Sequence, residues 1–165
     1  MDSIIGKYIS HLHLQPHPEG GWYSETYRSD EMTAGLPERF ASARNFSTAI
    51  YFLVPGHTFS AFHRILSDEL WHFYDGDMLE IYVIDESSAL SIIQLGRDTD
   101  RGQVFQAVVR RGAWFASRCS VTDGFSLVGC TVSPGFDFAD FELAERRDLL
   151  RQFPQHEKLI NTLTR

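Results

Sequence analysis

From residue 47 to residue 132 the chain is a succession of short runs rich in β-branched and aromatic residues, each closed by a turn former. The runs are STAIYFLV (47–54), TFSAFHRIL (58–66), ELWHFY (69–74), MLEIYVI (78–84), ALSIIQL (89–95), QVFQAVV (103–109), AWFASR (113–118) and FSLVGCTV (125–132). The breaks carry Pro55-Gly56, Asp75-Gly76, Gly96, Gly102, Gly112 and Asp123-Gly124, residues that supply tight turns. Short strands recurring roughly every 8–12 residues are the pattern of a β-sandwich or barrel. No helical stretch separates them, as a parallel α/β sheet would require. The chain is therefore expected to be all-β.

The ends differ from the middle. Ile4, Ile5, Tyr8, Ile9 and Leu12 recur at helical spacing and predict a short helix over 3–14, capped by Asp2 or Ser3 and ended by Pro16 and Pro18. From Gly21 the period becomes two, and Trp22 to Arg28 reads as a strand; residues 30–45 read as a polar loop. After Pro134-Gly135 two helices are expected, over 140–152 and 154–164, the second with Pro154 at its first position. This organisation predicts one domain over 1–165, with a β core at about 20–138 between helical ends.

Charge and cysteine usage narrow the partners. A formal net charge of −7 and a pI near 5.4 disfavour phosphate backbones and anionic lipid, so neither nucleic acid nor a membrane is expected as a partner. No apolar run approaches the roughly 18 residues of a membrane helix, and MDSIIGKYIS carries no basic export region, so a cytoplasmic location is expected. Two cysteines, Cys119 and Cys130, are too few for a disulfide framework or a cysteine-only zinc site.

Chemistry concentrates in residues 56–76. Strand parity places Phe59, Ala61, His63 and Ile65 on one face, with Ser60, Phe62 and Arg64 opposite; Glu69, Trp71 and Phe73 share a face of the next strand. If the two strands pair as a hairpin around Ser67-Asp68, His63 and Glu69 both project inward. A buried imidazole beside a buried carboxyl is costly unless each satisfies the other or a ligand, and such pairs have displaced pKa values. The pair is either a satisfied core hydrogen bond or part of a site.

This stretch resembles the first motif of the cupin superfamily, in which a Gly, a His-x-His, a Glu and a second Gly follow at set intervals. His63, Glu69 and Gly76 match those intervals, and Gly56 stands one residue early. The second cupin motif is matched more weakly, by Gly112 with Arg110 where Pro is usual. HPEGGWYSETYRS (17–29), FHRILSDELWHFYDG (62–76) and LVGCTVSPGFDFADFEL (127–143) are similar to a small cupin branch of unknown function. The resemblance implies a double-stranded β-helix, or jelly-roll barrel, with a central small-molecule pocket and a homodimeric assembly.

The same resemblance makes a metal a minority expectation. Of the usual ligand positions only His63 and Glu69 keep a donor, since Ile65 and Phe115 stand where histidines are expected. Two protein ligands are few for a transition metal. No cofactor is expected, and any divalent metal would rest on His63 and Glu69. The fold is shared with the metal-independent sugar-nucleotide 3,5-epimerases, which implies a histidine base and a tyrosine acid. On that basis the catalytic candidates are His63 as base, Glu69 as its orienting carboxylate, and Tyr27 ahead of Tyr51 and Tyr82 as acid. Trp22, Glu25, Arg64, Trp71, Phe73 and Phe115 are the candidates for holding substrate, with Arg28, Arg44 and Arg64 available for an anionic group. The leading expectation is a metal-independent isomerase or epimerase on a carbohydrate-like or sugar-nucleotide substrate. A metal-dependent cupin enzyme and a non-catalytic binding barrel are the alternatives.

Overall fold

A computed structural model describes residues 4–165. The elements run in chain order as α1 (Ile4–His11), β1 (Gln15–Pro16), β2 (Trp22–Arg28), β3 (Met32–Thr33), β4 (Arg44–Asn45), β5 (Thr48–Pro55), β6 (Ser60–Arg64), β7 (Asp68–Gly76) and β8 (Leu79–Ile84). There follow β9 (Leu90–Leu95), β10 (Gln106–Val109), β11 (Trp114–Cys119), β12 (Phe125–Ser133), β13 (Glu142–Leu143), α2 (Arg146–Gln152) and α3 (Glu157–Leu163). A 3-10 turn at Pro154–His156 leads into α3. The expected capping residues Asp2 and Ser3 lie outside the described residues. Among the described residues no helix is long and apolar enough to cross a membrane.

The strands form two facing antiparallel sheets, ordered β1-β2-β5-β12-β7-β10 and β13-β6-β11-β8-β9. This is the two-sheet jelly roll of the double-stranded β-helix, all-β with helices at both ends. From β5 to β8 and again from β9 to β13 successive strands change sheet, so β6 and β7 do not pair as a hairpin: β6 pairs with β11 and β13, and β7 with β12 and β10. His63 and Glu69 still both reach the interior, but from opposite sheets. The loop expected over 30–45 also holds the small β3–β4 pair.

Period-two alternation fills the space between the sheets. Phe52, Val54, Trp71, Ile81, Val83, Phe115 and Val128 form the inter-sheet core with Ile65, Leu79 and Val109. The outer faces are covered by the helices. Phe62, Tyr82, Ile84 and Trp114 lie under Leu149, Phe153, Ile160 and Leu163 of the C-terminal segment. Ile5, Tyr8, Ile9 and Leu12 of the N-terminal segment pack with Trp22, Leu53 and Leu127.

Two irregularities break this alternation where β2 and β6 face the cavity. In β2 the register against β5 shifts between Glu25 and Tyr27, so Glu25 opposes Ile50 while Tyr27 opposes Ala49 and Arg28 opposes Thr48. In β6 the register against β11 shifts so that His63 opposes Phe115 but Ser60 opposes Ser117. A bulge places an extra residue in one strand and re-aims the side chains beyond it. Glu25 joins Arg28 on the inner face, and Ser60 joins His63.

Below the cavity, Arg44 and Asp140 form a bidentate ion pair, Nε to Oδ2 at 2.7 Å and Nη2 to Oδ1 at 2.6 Å, with side chains only 3% and 5% exposed. Arg44 Nη1 also donates to the Ser42 and Ala43 carbonyls and to Ser42 Oγ. The pair ties β4 to the segment leading into β13. Replacing Asp140 with Ala strands a buried guanidinium charge, and the expected loss is about 3–5 kcal/mol of unfolding free energy, measured by urea denaturation.

Candidate functional site

A cavity of about 450 Å³ opens between the sheets. Its polarity is graded. Gln15, Glu25, Arg28, Asp137 and Phe138 are exposed at its mouth; His63, Glu69, Cys130 and Glu19 are buried in its wall. Ile50, Phe52, Ile65 and Val132 make the apolar waist.

Glu19 organises the buried end. It lies in the turn between β1 and β2, just before Gly20 and Gly21, whose φ values are +111° and +76°. A Cβ at Gly20 would stand 2.1 Å from the Phe59 carbonyl oxygen, so only glycine lets the turn lie this close to the segment entering β6. The Glu19 carbonyl accepts from the Ala61 N–H at 2.8 Å, docking the turn on β6. Its carboxyl Oε1 accepts from Ser60 Oγ at 2.7 Å, and Oε2 lies 3.0 Å from His63 Nε2 and 3.5 Å from His17 Nδ1.

The proton inventory follows from these contacts. His63 Nδ1 is 2.7 Å from the Ala61 carbonyl, which can only accept, so Nδ1 carries a hydrogen and the neutral ring presents its lone pair at Nε2. Burial lowers His63 to about 3 despite that backbone bond, with His17 adding to the effect. Burial likewise pushes Glu19 well above the usual carboxyl range; the Ser60 hydrogen bond opposes this and the charge of Glu69 reinforces it. The pair therefore rests as a protonated carboxyl donating to a neutral imidazole, one proton held between Oε2 and Nε2. The Glu19 N–H donates to His17 Nδ1 at 3.3 Å, which places the neutral His17 hydrogen on Nε2, and burial lowers this ring to about 4.

Glu69 enters from the other sheet. It is 8% exposed, and burial pushes it up to about 7, partly offset by a hydrogen bond from the Cys130 thiol. Burial, with the charges of Glu69 and Glu19, raises that thiol well above its ordinary value, so Cys130 stays protonated as a donor.

Of the residues expected from sequence, His63, Glu69, Glu25 and Arg28 line the cavity. The carboxyl in contact with His63 is Glu19, not Glu69, because the β1–β2 turn docks on β6 through the Ala61 amide and sets the Glu19 carboxyl against the ring. Tyr27 is 54% exposed on the outer side, turned out by the β2 bulge; Tyr23 is the tyrosine among the lining residues. Trp22 packs with the N-terminal helix, and Trp71 is a core residue against Phe52 and Phe115. Phe73 packs against the core with the Arg97 guanidinium over its ring. Arg64 faces outward over Trp114 and pairs with Glu142, while Arg44 is consumed by Asp140. Phe115 does not line the cavity but backs His63, ring centroids 4.0 Å apart. Parity reasoning missed Glu19, His17 and Cys130, while Tyr23 lines the cavity on the parity it shares with Glu25. The available signal was the HPEGGW segment, where a carboxyl precedes two glycines.

The residues present do not fit a resident metal. Ile65 and Phe115 offer no donor where metal-binding cupins have histidines, and both ring nitrogens of His63 are engaged within the protein. Among the described residues, no group of three or more His, Cys, Asp or Glu side chains is arranged to hold a metal ion.

The two-sheet jelly roll that encloses this cavity is the double-stranded β-helix of the cupins. Residues 6–144 match the family described as the cupin superfamily (DUF985), and the chain belongs to it. It is similar to protein SO0799 from Shewanella oneidensis, with 43% identity, 96% of each chain covered and a TM-score of 0.86. A hypothetical protein from Leishmania major shares 38% identity over 96% of this chain and 97% of its own, with a TM-score of 0.88. Uncharacterized protein YML079W of Saccharomyces cerevisiae is 28% identical, covering 94% of this chain and 83% of its own. Oxalate decarboxylase from Bacillus subtilis shares the fold alone, at 13% identity and a TM-score of 0.58 over 94% of this chain and 37% of its own.

A carboxyl raised from 4.5 to about 7 on folding holds its proton more tightly in the native state. Stability from that proton is fully present below about pH 4.5 and is lost as pH rises through 7. Glu69→Gln removes this dependence. Its stability relative to the unsubstituted protein should climb from about pH 4.5 and level off above pH 7 near 3 kcal/mol, read by denaturant titration at several pH values.

Proposed function

We propose that the protein is a metal-independent isomerase or epimerase acting on a small carbohydrate-like molecule, with His63 at the proton-transfer centre. The observation that carries this reading is that His63 on β6 and Glu69 on β7 reach one cavity from opposite sheets, His63 with the Glu19 carboxyl of the β1–β2 turn against it. Inversion at a carbon beside a carbonyl needs a base on one face of that carbon and an acid on the other. A carboxyl at about 7 is divided between its two forms at neutral pH, the best condition for giving and taking protons.

In the forward direction the Glu69 carboxylate takes the C–H proton, and the electron pair of that bond moves into the enolate. The proton held between Glu19 and His63 is delivered to the opposite face of the carbon. The pair is then deprotonated, and exchange with solvent restores it and Glu69 to their starting forms. In reverse the Glu19 carboxylate of the deprotonated pair is the base, and the His63 ring, fixed by the Ala61 carbonyl, accepts a hydrogen bond from the returned proton at Nε2. Apolar walls at Ile50, Phe52 and Ile65 keep the local dielectric low and strengthen each of these interactions.

The test is incorporation of solvent deuterium into reducing sugars at the carbon next to the carbonyl. Exchange should persist in a chelator and fall by about 10²-fold or more in both His63→Ala and Glu69→Gln. Exchange lost on chelation points instead to metal chemistry. A sugar that stabilises the protein but acquires no deuterium leaves a binding barrel.

The homodimer implied by the cupin resemblance belongs with this proposal. On the neighbouring strands β7 and β10, Val108, 43% exposed, lies opposite the half-buried Leu70, an apolar spot on the edge strand suited to a second copy. Light scattering should give twice the 18.9 kDa chain mass, falling to the chain mass in Val108→Asp. A monomer in the unsubstituted protein at all concentrations ends this part of the proposal.

A further inference from the structure

The geometry points to a charge rule for the cavity: it takes an uncharged free sugar and turns away phosphate esters and sugar nucleotides. This rests on the carbohydrate reading above and narrows its substrate class.

The lining holds one permanent cation, Arg28, against four carboxyl groups, Glu19, Glu25, Glu69 and Asp137. Arg28 is not available to an anion. Its Nε and Nη2 grip the Glu25 carboxylate at 3.0 and 2.7 Å, and Nη1 donates to Asn45 Oδ1 at 2.8 Å and to the Phe136 carbonyl at 3.1 Å. Four of the five guanidinium N–H groups are thus committed within the protein. Residues three apart on a regular strand face opposite ways. The β2 bulge brings Glu25 and Arg28 to the same face and so neutralises the one cation at the mouth.

The Phe136 bond gives Arg28 a second structural task, tying β2 to the segment that carries Phe138 and Asp137 over the mouth. An anion that recruited more than the one remaining N–H would have to displace the Glu25 carboxylate, and it would face Asp137. What remains suits a neutral polyol. Carboxyl oxygens accept from sugar hydroxyls, and the rings of Tyr23, Phe136 and Phe138 offer apolar faces to the C–H side of a pyranose.

The test is titration calorimetry with matched pairs of free aldohexoses and their 6-phosphates, on the full chain and on an E25Q/D137N double variant. Both substitutions keep side-chain shape, and the amide oxygen at 137 can still accept the Ala139 N–H that Asp137 caps at 2.8 Å. The unsubstituted protein should bind a free hexose at least about tenfold tighter than its phosphate. Removing the two charges should close that gap by on the order of tenfold, mainly by tightening the phosphate. Equal or tighter binding of the phosphate by the unsubstituted protein overturns the rule. So does a panel in which no free sugar binds, or a ratio that the double variant leaves unmoved. Calorimetry needs no turnover: binding that obeys the rule without deuterium exchange sinks the isomerase reading and leaves this one standing.

Discussion

A carboxyl group taken out of water must be given hydrogen-bond partners or a proton, and Glu19, at 6% exposure, receives both. Its partners come from the opposite sheet: Ser60 and His63 on β6, with the Ala61 amide holding the Glu19 carbonyl. The clasp fixes where the β1–β2 turn lies and which way His63 faces. It also sets the tautomer, because an Nδ1–H committed to Ala61 leaves Nε2 for the proton on Glu19. The diglycine after Glu19 is the steric condition for the clasp, since the Phe59 carbonyl occupies the space a side chain would need.

The electrostatics of the cavity follow from which charges burial tolerates. The two histidines are held neutral and Glu19 is held protonated, each because the ionised form would be desolvated. Glu69, which accepts a hydrogen bond from the Cys130 thiol, is pushed by burial up to about 7. Out at the mouth, where water reaches the side chains, full charges persist and are arranged as an ion pair. The cavity thus separates proton chemistry at its buried end from charge selection at its entrance. Relative to the cupin metal site, Ile65 and Phe115 have replaced donors with apolar contacts, and Phe115 now supports the His63 ring. A shared jelly roll therefore says little about chemistry here, because the groups that would carry it have changed.

Much of this was legible in the chain. The strands were readable because each inner face is apolar and each turn is marked by Gly, Pro or Asp. His63 and Glu69 stood out as polar residues on otherwise apolar faces. Whether β6 and β7 form a hairpin is not legible, because a turn after Leu66 looks the same whether the chain folds back on its own sheet or crosses to the other. The outward placement of Tyr27 is hidden for a different reason: alternation predicts its side until an extra residue enters the strand.

The sequence by itself determined the all-β architecture, the helical ends and the presence of polar groups inside, because hydrophobic periodicity and turn chemistry are local properties. Only the tertiary structure decided that Glu19 rather than Glu69 meets His63, that Tyr23 rather than Tyr27 reaches the cavity, and that Arg28 is already occupied. Those outcomes depend on two bulges and a change of sheet, which are set by packing between segments distant in the chain and leave no mark on the local alternation.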